Sequence, residues 1–371
     1  MAAQKKDMPV WADMALLPFL NLIAAFFVSA IVIALMGESP VEAFGVLLNG
    51  AFGYPEATGY TLYYATNFIF TGLAVSIAYH AGLFNIGGEG QAVLGGIGLA
   101  VFIFAFEGLP SWILIPLAIL GAALFGAVWG AIPGYLQAKR GSHVVITTIM
   151  FNFIASALLS YLLVGPLQRP DSQMPESNDF SASATLPYIH DIFAAMGIHM
   201  EESPLNMSLV VGLIMVAVVW FLLWRTRFGY ELRVVGKNHH AAKFAGISPQ
   251  KMTVIAMAIS GALAGMMGLN ELMGEQHRLI GNFTLGYGFV GIAVAFMGRN
   301  HPVGIVFASV LFGVLYQGGT ELSFEMGFPQ DLIVMVQGLV ILFAGALEHL
   351  FRKPVQAFFT HRANAAAVGD V

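Results

Sequence analysis

Ten polar side chains sit inside otherwise apolar stretches of this chain: Asn67, Asn85, Glu89, Gln91, Thr147, Thr148, Asn152, Asn270, Gln317 and Gln337. Carboxamides and hydroxyls both donate and accept, so they can exchange hydrogen bonds with a neutral polar solute without gripping it ionically. The same residue types also hold apolar helices together, and both readings stand. Asn85 and Glu89 are set apart by the run GLFNIGGEGQ at 82–91. Backbone that leaves helical geometry among apolar segments must be buried in protein or line a cavity. Asn85, Glu89, Asn67 and Asn152 are therefore candidates to line a solute path. Phe283, Tyr287 and Phe289 could stack on a planar solute or simply pack.

Residues for covalent or metal chemistry are missing. There is no cysteine, which excludes disulfides and thiolate metal sites. His239 and His240 are adjacent, without a partner at ligand spacing, and read as exposed helix residues. No G-x-x-x-x-G-K-[ST] occurs; Val235-Gly236-Lys237-Asn238 lacks both the preceding glycine and the hydroxyl residue. The chain is thus expected to be neither an ATPase nor another enzyme, and to take energy from a partner or a gradient. Ion-coupled carriers retain costly ionisable groups inside the membrane, and here only Glu89, Glu271 and Glu348 qualify.

A second group of residues lies in the polar stretch 225–251. Asn238 has the chemistry of a helix N-cap, three alanines follow within 239–245, Gly246 suits the left-handed position after a helix, and Ser248-Pro249 reads as the start of the next one. These signals predict a short helix with small side chains. A solvated basic connector is the alternative.

The elements that must position these residues are apolar and long. The composition is 58% hydrophobic and 10% charged, which a water-soluble core cannot accommodate but a bilayer solvates. Apolar runs lie at 14–36, 61–80, 90–106, 112–133, 143–165, 207–224, 252–273, 287–298, 302–320 and 331–350. They predict an all-α integral membrane protein of about ten transmembrane helices, one transmembrane domain over 1–371. Counted from a cytoplasmic N-terminus, 14 of the 16 Lys and Arg fall on the inside, among them Lys5, Lys6, Arg352, Lys353 and Arg362; only Arg169 and Arg278 fall outside. That bias puts both termini in the cytoplasm, as in a polytopic inner-membrane protein. Acids such as Glu107, Asp171 and Glu202 gather on the other side. The first run is too long for a signal-peptide core and reads as a retained anchor. Residues 166–206 become an extracytoplasmic loop and 225–251 a cytoplasmic one. Gly-rich stretches precede the third run and the short eighth, at comparable places in the two halves, as in an inverted five-plus-five repeat with broken segments.

The loop FGYELRVVGKNHHAAKFAGIS at 228–248 resembles the cytoplasmic signature of permease subunits of bacterial ABC importers, in the branch serving ribose-type sugars, nucleosides and branched-chain amino acids. GLFNIGGEGQ at 82–91, GSHVVITTIMFNFIAS at 141–156 and GFVGIAVAFMGRNHPVGIVFASVLFG at 288–313 are similar to the simple-sugar or nucleoside group of that branch. The resemblance implies that Gly236, Asn238, Ala241, Ala242, Gly246 and Ile247 form a coupling helix that docks on an ABC ATPase subunit. It implies also a second permease, related or identical, and an extracytoplasmic solute-binding protein. The solute would be a nucleoside or simple sugar, with ATP and Mg on the partner and no cofactor on this chain. Membrane lipid, and no nucleic acid, completes the expected partners. A ribose or branched-chain amino-acid permease is the near alternative; an ATP-independent secondary transporter is the distant one.

Overall fold

The computed structural model describes residues 9, 16–35, 37–170, 172–345 and 354–357; Lys5, Lys6, Asp171, Glu348, Arg352, Lys353 and Arg362 lie outside them. Among the described residues the α-helices run in the order α1 Leu17–Leu35, α2 Pro40–Phe52, α3 Pro55–His80, α4 Gly88–Ala105, α5 Ser111–Tyr135, α6 Val144–Val164, α7 Ile189–Ala195, α8 Ser208–Arg225, α9 Arg227–Lys237, α10 His239–Phe244, α11 Pro249–Gly265, α12 Tyr287–Met297, α13 Pro302–Glu325 and α14 Gln330–Gly345. Among the described residues there is no strand, only two isolated bridges.

Seven described helical segments are long and apolar enough to cross a bilayer, and an eighth is reached if α1 and α2, bent by 119°, count as one span. The expected ten is corrected accordingly. Hydropathy counts an apolar stretch as a crossing whatever its path. The eighth run is the 11-residue α12, and the tenth is described only as the 16-residue α14. At 1.5 Å per residue α12 does not reach across about 30 Å of hydrocarbon, and nor does the described part of α14.

The expected halving into two inverted repeats does not appear as a division of the molecule. Residues 51–317 form one compact unit, and residues 1–50 with 318–371 form another. In the smaller unit, α1 packs along α14, and Phe26 meets Phe44 edge-on at 5.3 Å.

The larger unit is built around α3, whose apolar window is 89% buried, whereas α6 and α8 are buried over only 28% and 22% of theirs and turn Ile146, Phe153, Leu213 and Phe221 outward. Exposed apolar faces of this kind suit lipid as solvent. Beside α3, helices α4, α5 and α11 share a seam of small residues. A Cβ on Gly126 would run into the Gly261 carbonyl of α11, and one on Gly261 into the Gly126 carbonyl of α5. Only glycine lets two helix backbones approach so closely, gaining dispersion contacts that larger residues would forbid.

Residues 166–206 fold back onto the end of the segment following α11. Ser177 N–H donates to the Leu279 carbonyl (2.9 Å) and Leu186 N–H to the Met273 carbonyl (3.0 Å). Arg278 pairs with Glu176 and Asp179, and Arg169 also reaches Asp179 at 3.0 Å. The two basic residues that the sequence separates from all others thus share one end of the unit.

Candidate functional site

Two glycine-broken segments meet beside the middle of α3. The first, residues 81–87, leads into α4. The second, residues 277–286, leads into α12 and holds Asn282 and Leu285 at φ of +57° and +45°, a region that a branched apolar residue rarely occupies. A Cβ on Gly88 would lie 3.1 Å from the Gly288 carbonyl, so the N-termini of α4 and α12 touch. Phe68, midway along α3, packs edge-on against Tyr287 at 5.5 Å, which fixes the depth of the meeting point.

Glu89 holds the junction. From the first turn of α4 its carboxylate accepts from Gly286 N–H (3.0 Å) and Gly288 N–H (2.9 Å), which are free donors at the start of α12, and from the Thr284 hydroxyl. It therefore acts as the N-cap of a helix to which it does not belong. Both helix dipoles point their positive ends at it, which favours an anion there.

Two further networks flank this junction. In one, Asn85 donates to Gln91 (2.9 Å) and Ser260 (2.8 Å) and accepts from Gly87 N–H (2.8 Å). Asn152 of α6 accepts from Gly90 N–H (2.9 Å) and donates to the Ile86 carbonyl (2.9 Å), clamping the break from the other side. In the other, Asn67 donates to Glu271 and accepts from Asn270 (2.9 Å), which in turn accepts from Asn206 (3.0 Å) and Ser208 (2.7 Å).

The four expected path residues are thus gathered around the broken segments, and their hydrogen-bonding atoms are engaged by the protein itself. Thr284, Gly286, Gly288 and Ser260 complete these networks and went unnamed in the sequence. Only the Gly-rich stretch 281–288 gave a signal for three of them.

The stretch 225–251 contains two helices where the sequence predicts one. Thr226 caps α9 by accepting from Gly229 N–H (3.1 Å). Asn238 caps α10 by accepting from the N–H groups of His240 (2.9 Å) and Ala241 (3.0 Å). Gly246 follows at φ +76°, and Ser248 caps α11 with Pro249 in its first turn. Ala242 is 0% exposed and packs with Val235, Met252 and Ile247, so it faces the protein. The outer face carries His240, Ala241 and Phe244, the last 94% exposed. Gly236 abuts the turn after α3, where a Cβ would strike the His80 carbonyl. Among the described residues, no group of three or more His, Asp or Glu is placed to hold a metal ion.

Long apolar helices, two helix N-termini meeting at a polar junction and a capped helix pair mark a multi-pass membrane protein. Residues 57–345 match the family described as branched-chain amino acid transport system / permease component, and the chain belongs to that family. It is a transport subunit and not an enzyme. The glucose ABC transporter permease TsgB13 of Haloferax volcanii is 35% identical over 370 residues, 98% of this chain and 95% of that protein. The guanosine ABC transporter permease NupP of Bacillus subtilis is 37% identical, over 89% of this chain and 93% of its own length. The nucleoside ABC transporter permease NupB of Lactococcus lactis is 32% identical, over 88% and 90%.

Proposed function

We propose that this chain is the membrane-spanning permease of an ABC importer for nucleosides or closely related simple sugars. The similarity to the guanosine permease over 93% of that protein's length carries the reading. The family description, which names branched-chain amino acids, marks the competing solute class. An extracytoplasmic binding protein delivers the solute, a second permease completes the channel, and ATP with Mg acts on the partner ATPase. The solute passes beside the polar junction, whose shape Asn85, Glu89, Asn67 and Asn152 maintain. ATP-driven closure of the partner moves the helix pair 225–251 and biases a two-state switch between inward and outward openings.

In this reading the chain forms one transmembrane domain in a bacterial inner membrane, with cytoplasmic termini and residues 166–206 on the far side. The side chains that dock belong to the outer face of α10, with Asn238 and Gly246 setting its ends and Gly236, Ala242 and Ile247 seating it. Cells producing the complete complex should take up labelled guanosine, and unlabelled nucleosides should compete where leucine does not. Uptake should stop on ATP depletion with the ion gradient held. Persistence of uptake without ATP would overturn the mechanism, and competition by leucine the solute class. Single cysteines at Gln173 and His240, both exposed, should label from opposite sides of intact cells.

A further inference from the structure

Where α3, α8 and α9 end together, a cavity of about 600 Å³ opens, lined among others by His80, Phe84, Trp224, Arg233, Gly236 and Lys237. It borders the polar junction, since Gly82, Leu83 and Phe84 of the 81–87 segment line it, but none of Asn67, Asn85, Glu89 and Asn152 does, and its lining includes no acidic side chain. Elsewhere Arg227 pairs with Glu231, and Arg169 and Arg278 with Asp179, while Arg225 lies over the Trp220 ring at 5.2 Å. Arg233 and Lys237 have no carboxylate partner among the described residues. Arg233 donates from Nε to the Gly229 carbonyl (3.3 Å), and its two terminal guanidinium nitrogens have no acceptor among the described residues.

The wall is aromatic. The Trp224 ring has the Arg233 guanidinium at 6.0 Å, the His80 ring at 5.4 Å and the His301 ring at 5.0 Å. Burial holds His301 below the usual histidine range, so it adds no charge at neutral pH. His80 turns Nδ1 toward the Ser76 carbonyl at 2.9 Å, so Nδ1 carries the hydrogen in the neutral ring and the other nitrogen can only accept. The cations facing the cavity are therefore Arg233 and Lys237, a forked donor beside a point charge.

We infer that this cavity binds a phosphate ester, with the phosphate on Arg233 and Lys237 and the remainder of the ligand against Trp224 and Phe84. The guanidinium fork matches phosphate oxygens, and an aromatic surface at the end of the spans suits either a nucleotide base or the glycerol region of an anionic lipid. Lys237 is followed directly by the Asn238 cap, so a ligand drawing both cations together fixes the end of α9 and with it the pitch of α10. Occupancy thereby reaches the helix pair without contacting Asn67, Asn85, Glu89 or Asn152.

The test uses the assembled complex, and reads binding rather than transport, so it stands apart from the solute assignment. Guanosine monophosphate and inorganic phosphate are titrated calorimetrically into complex held in phosphatidylcholine nanodiscs. A parallel sample in discs that also contain phosphatidylglycerol is scored for retained anionic lipid by native mass spectrometry. Saturable binding of at least one probe is expected, weakened by about tenfold or more in the double variant Arg233→Gln/Lys237→Gln through loss of two charge-assisted contacts. Arg227→Gln, whose side chain is 92% exposed, should leave it unchanged. Binding of the nucleotide alone assigns a soluble ligand, and retention of phosphatidylglycerol alone assigns lipid. No saturable binding of any probe overturns the inference, as does equal weakening by Arg227→Gln. If the double variant does not assemble, Arg233→Lys takes its place: it keeps the charge, loses the fork, and should still weaken binding several-fold, with no change counting against the site.

Discussion

α10 and α12 both start on a borrowed side-chain oxygen, and the distance over which each oxygen is borrowed separates their roles. α10 takes its cap from Asn238, the residue before it, and α12 takes its cap from Glu89, about half the chain away. A local cap shapes a helix and leaves its outer face free, here with Phe244 standing in the open. A remote cap consumes the bonding capacity of both partners and welds two broken segments into one body. The first arrangement suits an element that meets another protein; the second suits a wall.

The largest test of that contrast is Glu89→Ala. It strands two backbone N–H groups and a hydroxyl away from water, and should cost more than about 3 kcal/mol, read as loss of the assembled complex or a lowered unfolding midpoint. Glu89→Gln keeps an acceptor and should assemble. If it assembles with a normal midpoint yet fails to transport, the carboxylate meets the solute after all and the wall reading breaks.

Next in size is Ala242→Glu, which drives a charge into the contact with Val235 and Met252. A cost of roughly 2–3 kcal/mol, confined to this helix pair, should appear as faster amide exchange over 239–247. Unchanged protection would place Ala242 on the outer face. Phe244→Asp should leave exchange alone and weaken co-purification of the ATPase by about tenfold. Full retention of the partner would remove α10 from the interface. Asn238→Ala is the smallest, about 1 kcal/mol of helix stability, visible as fraying of α10 with only partial loss of coupling.

The same distance decides what could be read in advance. Asn238, Gly246 and Ser248-Pro249 were legible because each acts within three residues of its own position, where capping and turn chemistry are local. Thr226 offered the same signal for α9, but the basic residues around it favoured a connector. Glu89 could be flagged from its glycine-rich surroundings, yet its donors at Gly286 and Gly288 follow no spacing rule, so a solute-facing role remained open beside a structural one. Ala242 and Phe244 stand two apart on one short helix, and only the packing of Val235 and Met252 tells inner face from outer. The span count failed for a related reason, since hydropathy registers solvent preference along the chain and not the bend between α1 and α2 or the shortness of α12.

The Glu89 cap also sets an order of events during synthesis. Glu89 and its Thr284 partner are 195 positions apart. At about 5–20 residues per second the ribosome supplies the second some 10–40 seconds after the first. Throughout that interval α4 is in or near the membrane with a carboxylate whose donors do not yet exist. Until residues 281–288 emerge, the carboxyl group of α4 has water or its own proton in place of these donors. Slowing translation between these two segments should therefore expose the chain to membrane proteases for longer, while pauses after α12 should not.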